Sequence, residues 1–147
     1  MANILVSACL LGIECRYKGD GCPCEGIKAL AEKHTLIPVC PEQLGGLATP
    51  RPPAERQGGR VMNKEGADVT EAYAKGAERA LRIAKLNSVS AAIMKAKSPS
   101  CGSGRIYDGA FSGQLIPGDG VCAEALKAAG IKVYNEENFT DAPELEQ

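Results

Sequence analysis

Four short segments of the chain are almost entirely apolar, which is typical of strands buried on both faces of a sheet. They lie at 3–8, 36–39, 90–95 and 131–134. Between these runs, apolar residues recur every three or four positions, which predicts helices. The helical segments lie at 27–34, 70–86 and 121–129, and Gly130 ends the last of them.

Strands that alternate with helices in this way predict an α/β fold, a three-layer sandwich in which helices cover both faces of a parallel sheet of about four strands. A Rossmann-like or flavodoxin-like arrangement fits this order. Two stretches, 40–53 and 96–118, are rich in proline or glycine and are interpreted as loops. A small hairpin excursion is expected within 58–70. Residues 1–147 are taken as a single domain, with a loose acidic tail after about residue 139.

The composition narrows the class of protein. A length of 147 residues is enough for one hydrophobic core, and with only 4% aromatic residues that core must be mostly aliphatic. The net charge of −1 gives no electrostatic signature of a nucleic-acid-binding protein. No apolar run reaches the roughly 18 residues of a membrane helix, and the N-terminus lacks the basic start of a signal peptide. A cytoplasmic location without membrane association is therefore expected.

Seven cysteines are an unusual number for a cytoplasmic chain of this length, because disulfides are rare in that compartment and metal binding, catalysis or burial are the usual roles. Three of the cysteines are expected close together. Cys9 and Cys40 directly follow the first two strands, and Cys101 follows the third. Because the carboxyl ends of parallel strands meet at one edge of a sheet, these thiols indicate a metal or iron–sulfur centre at that edge.

The pattern alone leaves the type of centre open. Three thiolates with an open fourth position suit catalytic zinc, and they also suit a four-iron cluster that lacks one of its usual four cysteine ligands. A rival set is Cys15, Cys22 and Cys24 in the first loop, which could form a separate metal or redox site. Cys122 is interpreted as buried packing in the last helix. His34, the single histidine, is interpreted as a surface or helix-end residue.

Polar residues near these cysteines are candidates for acid–base chemistry and substrate binding. Glu42 lies two residues beyond Cys40, where a carboxylate could move protons or activate water; an ion pair with Arg51 is the alternative interpretation. The hydroxyls around Cys101 could orient a substrate or contact cluster sulfur, or else fill a polar loop. They belong to Ser98, Ser100 and Ser103. Basic residues of the same loops, Arg16 among them, would balance negative thiolates or bind an anionic group of the substrate.

Three segments carry longer and more unusual motifs. They read SACLLG at 7–12 followed by CRYKG at 15–19, CPEQLGGL at 40–47 followed by PRPP at 50–53, and KSPSCG at 97–102. On these motifs the chain resembles domain-of-unknown-function family 523, which includes the [4Fe-4S]-dependent thiouracil desulfidases. The resemblance runs from about residue 3 to residue 134, nearly the whole chain.

This resemblance implies an enzyme with a [4Fe-4S] cluster held by Cys9, Cys40 and Cys101. The implied reaction is the non-redox removal of sulfur from a small thiolated base such as 2-thiouracil, which gives uracil and hydrogen sulfide. The resemblance also implies that the iron without a protein ligand binds the substrate sulfur. In the same reading Glu42 manages protons and the incoming water, and Ser100 helps to hold the substrate or its sulfur.

Other residues of the same loops complete the expected site. Ser98, Ser103 and Arg16 are expected to bind the substrate. The Cys22 and Cys24 pair is not part of the family pattern, so an additional metal site or sulfur acceptor stays open. The rival hypothesis is a non-catalytic metal-binding, redox or sulfur-carrier protein that uses the same cysteines.

Overall fold

The structure, a computed structural model, describes residues 1–145, and the last two residues of the predicted acidic tail lie outside them. The strands are β1 (Asn3–Ser7), β2 (Thr35–Val39), β3 (Ala54–Gln57), β4 (Arg60–Asn63), β5 (Ala91–Ile93), β6 (Arg105–Tyr107), β7 (Leu115–Pro117) and β8 (Lys132–Tyr134). The helices are α1 (Glu25–Lys28), α2 (Pro41–Leu44), α3 (Thr70–Leu86) and α4 (Val121–Ala128).

A parallel sheet with the strand order β2-β1-β5-β8 forms the centre of the molecule. Strand β1 is central because it is continuously apolar, and Ile4, Leu5 and Val6 are completely buried. Strand β2 lies at an edge, where Pro38 costs no ladder hydrogen bond. The structure therefore confirms the predicted α/β fold with a four-stranded parallel sheet.

The two faces of this sheet are covered by different parts of the chain. Helices α3 and α4 pack on one face through small and aliphatic side chains such as Ala80 and Leu126. The other face packs against Ile27 of α1 and the turns around it. These contacts produce the expected mostly aliphatic core. Within residues 1–145, none of the helices combines the length and apolar character needed to cross a membrane.

Three connections differ from the sequence-based expectations. The small hairpin is β3–β4, which begins before the expected 58–70. The stretch 96–118 contains a second hairpin, β6–β7, whose strands of three residues are too short to show a period-two pattern. The proline-rich stretch 40–53 begins with the short helix α2, because Pro41 at the first helical position is compatible with a helix start.

The C-terminal segment after residue 139 is packed up to residue 145, although a loose tail was expected. Phe139 and Leu145 contact the core on the α1 side of the sheet, and Ala142 is completely buried. The hydroxyl of Tyr134 also donates to Glu144. The segment is acidic, but its apolar residues supply enough burial to hold it against the domain.

Candidate functional site

A cleft of about 540 Å³ opens at the carboxyl edge of the parallel sheet. Its position follows from the strand register, in which Ser7 pairs with Val39 and Val6 pairs with Ile93, so that β1, β2 and β5 end side by side. Ligands of open α/β sheets bind at this edge. Four cysteines line the cleft. They are Cys9, Cys15, Cys40 and Cys101.

Strand ends position the first two of the predicted thiols. Cys9 lies in the 3-10 turn Ala8–Leu11 that follows β1, and it is 7% exposed. Its carbonyl oxygen accepts the backbone N–H groups of Gly12 and Cys22, which fixes the turn. Cys40 directly follows β2 and precedes helix α2, so the helix start and the strand end together hold its backbone.

Cys101 lies in a tight turn that is built largely by its neighbours. The hydroxyl oxygen of Ser98 accepts the backbone N–H groups of Ser100 at 3.1 Å and Cys101 at 3.0 Å. The carbonyl oxygens of Pro99 and Ser100 accept the first N–H groups of α4. Because these helix donors are already paired, α4 supports the turn rather than presenting free N–H groups to the cleft. The hydroxyl of Ser7 donates to Met94 Sδ at 3.6 Å, and its oxygen accepts the backbone N–H of Lys95 at 2.8 Å, which ties the end of β1 to the residues after β5.

Cys15 is a fourth thiol of the cleft that the strand-end argument did not select. It is 2% exposed, and the thiol of Cys40 donates to its carbonyl oxygen at 3.7 Å. The structure separates it from the other members of the rival set. Among the residues described, Cys22 and Cys24 are half-buried and do not line the cleft. Cys122 is completely buried in α4, which agrees with a packing role.

Three of the cleft thiols, those of Cys15, Cys40 and Cys101, have raised pKa values in the metal-free chain. The pKa of Cys15 is raised to about 11, because its hydrogen bond to Cys40, which lowers the pKa, is outweighed by the contact with Cys9 and by burial. The hydrogen bond to Cys15 and burial raise the pKa of Cys40. Burial, with the adjacent Cys122, raises the pKa of Cys101 well above its usual range. A bound cation would have to displace these protons.

The donor set fits an iron–sulfur cluster better than a single ion. In the part of the chain that the structure describes, no three Cys, His, Asp or Glu side chains converge closely enough to hold one metal ion. A four-iron cluster is larger than one ion, so its ligands surround a cavity instead of meeting at a point. Three soft sulfur donors around a cleft of this size meet that requirement. The residues present therefore fit a [4Fe-4S] cluster.

Glu42 lies in the cleft and its carboxylate is held by two side chains. One oxygen, Oε2, accepts the hydroxyl of Tyr73 at 2.7 Å and Nε of Arg51 at 3.4 Å. The side chains of Arg51 and Glu42 are 6% and 16% exposed. Arg51 also donates to the carbonyl oxygen of Cys15 at 2.9 Å. The ion pair considered from the sequence is therefore present, and it fixes the carboxylate inside the cleft.

Tyr73 on helix α3 completes this arrangement. Burial raises the pKa of Tyr73 above its usual range, and the negative charge of the adjacent Glu42 raises it further. The hydroxyl therefore keeps its proton and donates at neutral pH. One oxygen of Glu42, Oε1, makes no hydrogen bond within the described residues. The carboxylate is thus oriented through one oxygen while the other is free to take up a proton or contact water.

The predicted substrate-binding residues fall into two groups. Ser98 and Arg16 line the cleft, and Arg16 pairs with Asp20 at 3.3 Å. Ser100 is completely buried behind the cleft wall, and its hydroxyl oxygen has no hydrogen-bond partner in the described chain. Ser103 is half-buried and lies outside the set of lining residues.

His34 lies away from the cleft, just after the 3-10 turn Ala29–Glu32, so the helix-end interpretation fits and the surface interpretation is wrong. It is 3% exposed, and its Nδ1 accepts the backbone N–H of Ala2 at 3.0 Å. The single histidine therefore joins the chain start to the segment before β2, and it contributes no ligand to the cleft.

Two further residues were not selected from the sequence: Ser7, which lines the cleft, and Tyr73, which holds Glu42 from helix α3. Each carries one polar atom on a buried side chain, and this is the signal that could have singled them out. The two hairpins supply an opposite wall that no local pattern predicts. Its members are Glu55, Lys64, Tyr107 and Phe111. Within residues 1–145, five cationic side chains and two carboxylates line the cleft, an excess of positive charge that favours negative sulfur ligands. These cations are Arg16, Arg51, Lys64, Lys95 and Lys97, and the carboxylates are Glu42 and Glu55.

Comparison with known proteins gives one consistent result. Residues 4–138 match the model of the family described as 2-thiouracil desulfurase. The chain is 47% identical over 148 residues to the uncharacterized protein YbbK of Bacillus subtilis (strain 168), and the match covers 94% of this chain and 98% of that protein. It is also similar to the solved structure of the [4Fe-4S]-dependent thiouracil desulfidase TudS. The TM-score is 0.91 and the identity 43%, over 96% of this chain and 95% of that one.

The family match spans all three cysteine motifs of the cleft and every strand of the parallel sheet, apart from the first residue of β1. This match confirms the family resemblance that the cysteine motifs indicate. The chain belongs to the 2-thiouracil desulfurase family.

Proposed function

We propose that this chain removes sulfur as hydrogen sulfide from a thiolated pyrimidine such as 2-thiouracil, with a [4Fe-4S] cluster held by Cys9, Cys40 and Cys101. The observation that carries the proposal is the joint presence of these three sulfur atoms and the Glu42 carboxylate in one cleft at the sheet edge. The similarity to a [4Fe-4S]-dependent thiouracil desulfidase supports it.

The reaction is a hydrolysis without electron transfer. The carbon–sulfur double bond of the thiocarbonyl breaks, and water supplies the oxygen of the new carbonyl. Both hydrogens of that water leave on the sulfur as hydrogen sulfide, so no oxidant or reductant is consumed. When bound, the cluster supplies an iron without a protein ligand, a Lewis acid for the substrate sulfur.

Glu42 is the residue assigned to the protons of this reaction. Its Oε2 is held by Tyr73 and Arg51, which leaves Oε1 to accept a proton from water as it attacks the thiocarbonyl carbon. The same carboxyl group then returns the proton toward the departing sulfur. A positioned general base contributes about 10²- to 10⁴-fold to a rate, so we expect Glu42→Gln to lower kcat by at least about 10²-fold.

The other predicted residues have supporting roles. Ser98 holds the Cys101 turn through its oxygen. Its own O–H meets no acceptor in the described part of the chain, so it can donate to a substrate atom in the cleft. Arg16 offers a cation at the cleft wall. Ser100 would reach the substrate or its sulfur only if the turn rearranges, because its hydroxyl is buried beside the turn. Contact of Ser103 with substrate stays a prediction of the sequence.

The function is tested by anaerobic reconstitution of the chain with iron and sulfide, followed by incubation with 2-thiouracil. We expect uracil and hydrogen sulfide in equal amounts without added reductant. Glu42→Gln should keep the cluster absorbance near about 400 nm and lose activity, while Glu14→Gln, at an exposed position outside the cleft, is the matched control. A fully loaded chain that releases no sulfide from thiopyrimidines would contradict the proposal.

A further inference from the structure

Aromatic side chains are concentrated in the cleft. The sequence contains only four Tyr and two Phe, and three of these six residues line the cleft: Tyr17, Tyr107 and Phe111. In a chain whose core is aliphatic, aromatic rings are not needed for packing on this scale. Their placement around one cavity indicates recognition of a flat, partly apolar ligand.

Phe111 is held in a backbone conformation that its side chain does not favour. Its φ is +55°, in the left-handed region that residues other than Gly, Asn and Asp rarely adopt. Such a conformation persists only when the surrounding structure enforces it, and such residues cluster at ligand sites. Phe111 lies in the loop between β6 and β7 and lines the cleft.

Glu55 of the other hairpin enforces this conformation. Its Oε1 accepts the backbone N–H groups of both Gly109 and Phe111 at 3.0 Å, and the residue is 9% exposed. The side chain of Gln57 donates to the carbonyl oxygen of Gly109 at 2.8 Å. Two hairpins that are far apart in sequence are thus joined by a buried carboxylate at the backbone of Phe111, and this fixes the position of the ring.

We propose that the Phe111 ring is the stacking surface for the flat ring of the substrate, and that Glu55 is the positioning residue that holds it there. This inference rests on the proposed function, since it names the part of the site that selects a ring thiocarbonyl over an acyclic one. Stacking on an aromatic side chain is tolerant of substituents on the base and acts equally on substrate and transition state. Loss of the ring therefore raises KM and leaves kcat nearly unchanged.

Two substitutions at residue 111 separate the ring from the backbone. Phe111→Asn removes the ring and keeps a residue that tolerates the left-handed region, while Phe111→Tyr keeps the ring. We expect Phe111→Asn to raise KM for 2-thiouracil and weaken binding of uracil to the loaded protein, each by about tenfold or more. We expect kcat to stay within about threefold, and Phe111→Tyr to stay within about twofold of the original chain on both measures. For thiourea, which has no ring, the change in KM should be less than about threefold.

Glu55 is tested through the same readouts. Glu55→Gln keeps an acceptor oxygen for the two N–H groups and should retain the original KM. Glu55→Ala should raise KM as Phe111→Asn does, and the double variant should add little to either change because both act on one contact. Cluster content and thermal stability measured on each variant separate this effect from unfolding.

The possible outcomes separate failure of the stacking proposal from failure of the proposed desulfidase function. An active chain in which Phe111→Asn changes neither KM nor uracil binding overturns the inference and leaves the function standing. A loaded chain that binds uracil through Phe111 but releases no sulfide overturns the function and keeps the stacking surface. A loaded chain that neither turns over 2-thiouracil nor binds uracil overturns both.

Discussion

At the scale of single residues, the most informative contact is the one between Tyr73 and Glu42. A buried phenol that donates at 2.7 Å to a carboxylate fixes which oxygen of that carboxylate points into the cleft. Arg51 donates to the same oxygen and compensates its charge. This pair of donors orients Glu42 for proton transfer without occupying its second oxygen.

Removal of this phenol should slow the reaction without removing the cluster. We expect Tyr73→Phe to lower kcat about tenfold, equivalent to about 1.4 kcal/mol, because a hydrogen bond to a charged group is lost. Iron content should stay unchanged. Tyr134→Phe is the matched control, since that hydroxyl donates to Glu144 away from the cleft. Equal activity of the two variants would show that the orientation of Glu42 does not depend on Tyr73.

At the scale of elements, the cleft depends on the close packing of helix α2 against helix α3. Gly45 and Gly76 make this packing possible, because an added Cβ at Gly76 would overlap the carbonyl oxygen of Pro41, and one at Gly45 would overlap that of Ala72. The guanidinium of Arg79 also donates to the last turn of α2. Both Cys40 and Glu42 are therefore placed by a contact between two backbones.

A methyl group at this contact should damage the site. In an open helix, Gly→Ala stabilises by about 1 kcal/mol, but here we expect Gly76→Ala to lower the free energy of unfolding by about 1–3 kcal/mol through overpacking. Cluster loading should fall as α2 shifts. Urea unfolding and iron content provide the measurement. Gly59→Ala is the control, because an added Cβ there would have no described residue within 4 Å besides its chain neighbours. A Gly76→Ala variant as stable as the original chain would exclude this packing.

Asp119 makes an ionic contact just before helix α4. Its Oδ1 accepts the backbone N–H of Gly104 and Nζ of Lys127, each at 2.8 Å. Although burial acts in the opposite direction, these two donors hold the pKa of Asp119 below its usual value. The folded state therefore binds this proton less tightly than the unfolded chain does.

This shift has a defined pH dependence. Because the folded pKa is depressed, the stabilisation by Asp119 is present above the unfolded value of about 3.9 and is lost as the pH falls through the folded value. We expect Asp119→Asn to cost about 0.5–1 kcal/mol at pH 7 and clearly less at about pH 2, after the pH has fallen toward the folded value. Urea unfolding at both pH values measures this loss of stability, and Asp141→Asn, at an exposed position, is the control. A constant difference between the two pH values would rule out the charge as its cause.

At the scale of the whole molecule, sequence periodicity was sufficient to predict the parallel sheet. The carboxyl ends of its strands then indicated Cys9 and Cys40, because both directly follow a strand. The pattern could not place Cys15 next to Cys40 or separate it from Cys22 and Cys24, since the path of a glycine-rich loop depends on tertiary contacts. The opposite wall of the cleft was missed for the same reason: Glu55 meets Phe111 across 56 positions of sequence.

The central claim is that three of the seven cysteines hold a [4Fe-4S] cluster, and the count of iron and sulfide per chain after anaerobic reconstitution tests it most directly. We expect about four iron and four sulfide ions per chain in the original protein. The same counts are expected in two control variants, Cys15→Ala in the cleft and Cys122→Ala in the buried core. Separate changes of Cys9, Cys40 and Cys101 to Ala should abolish stable loading. Full loading of these three variants, or loss of loading in Cys15→Ala alone, would contradict the account.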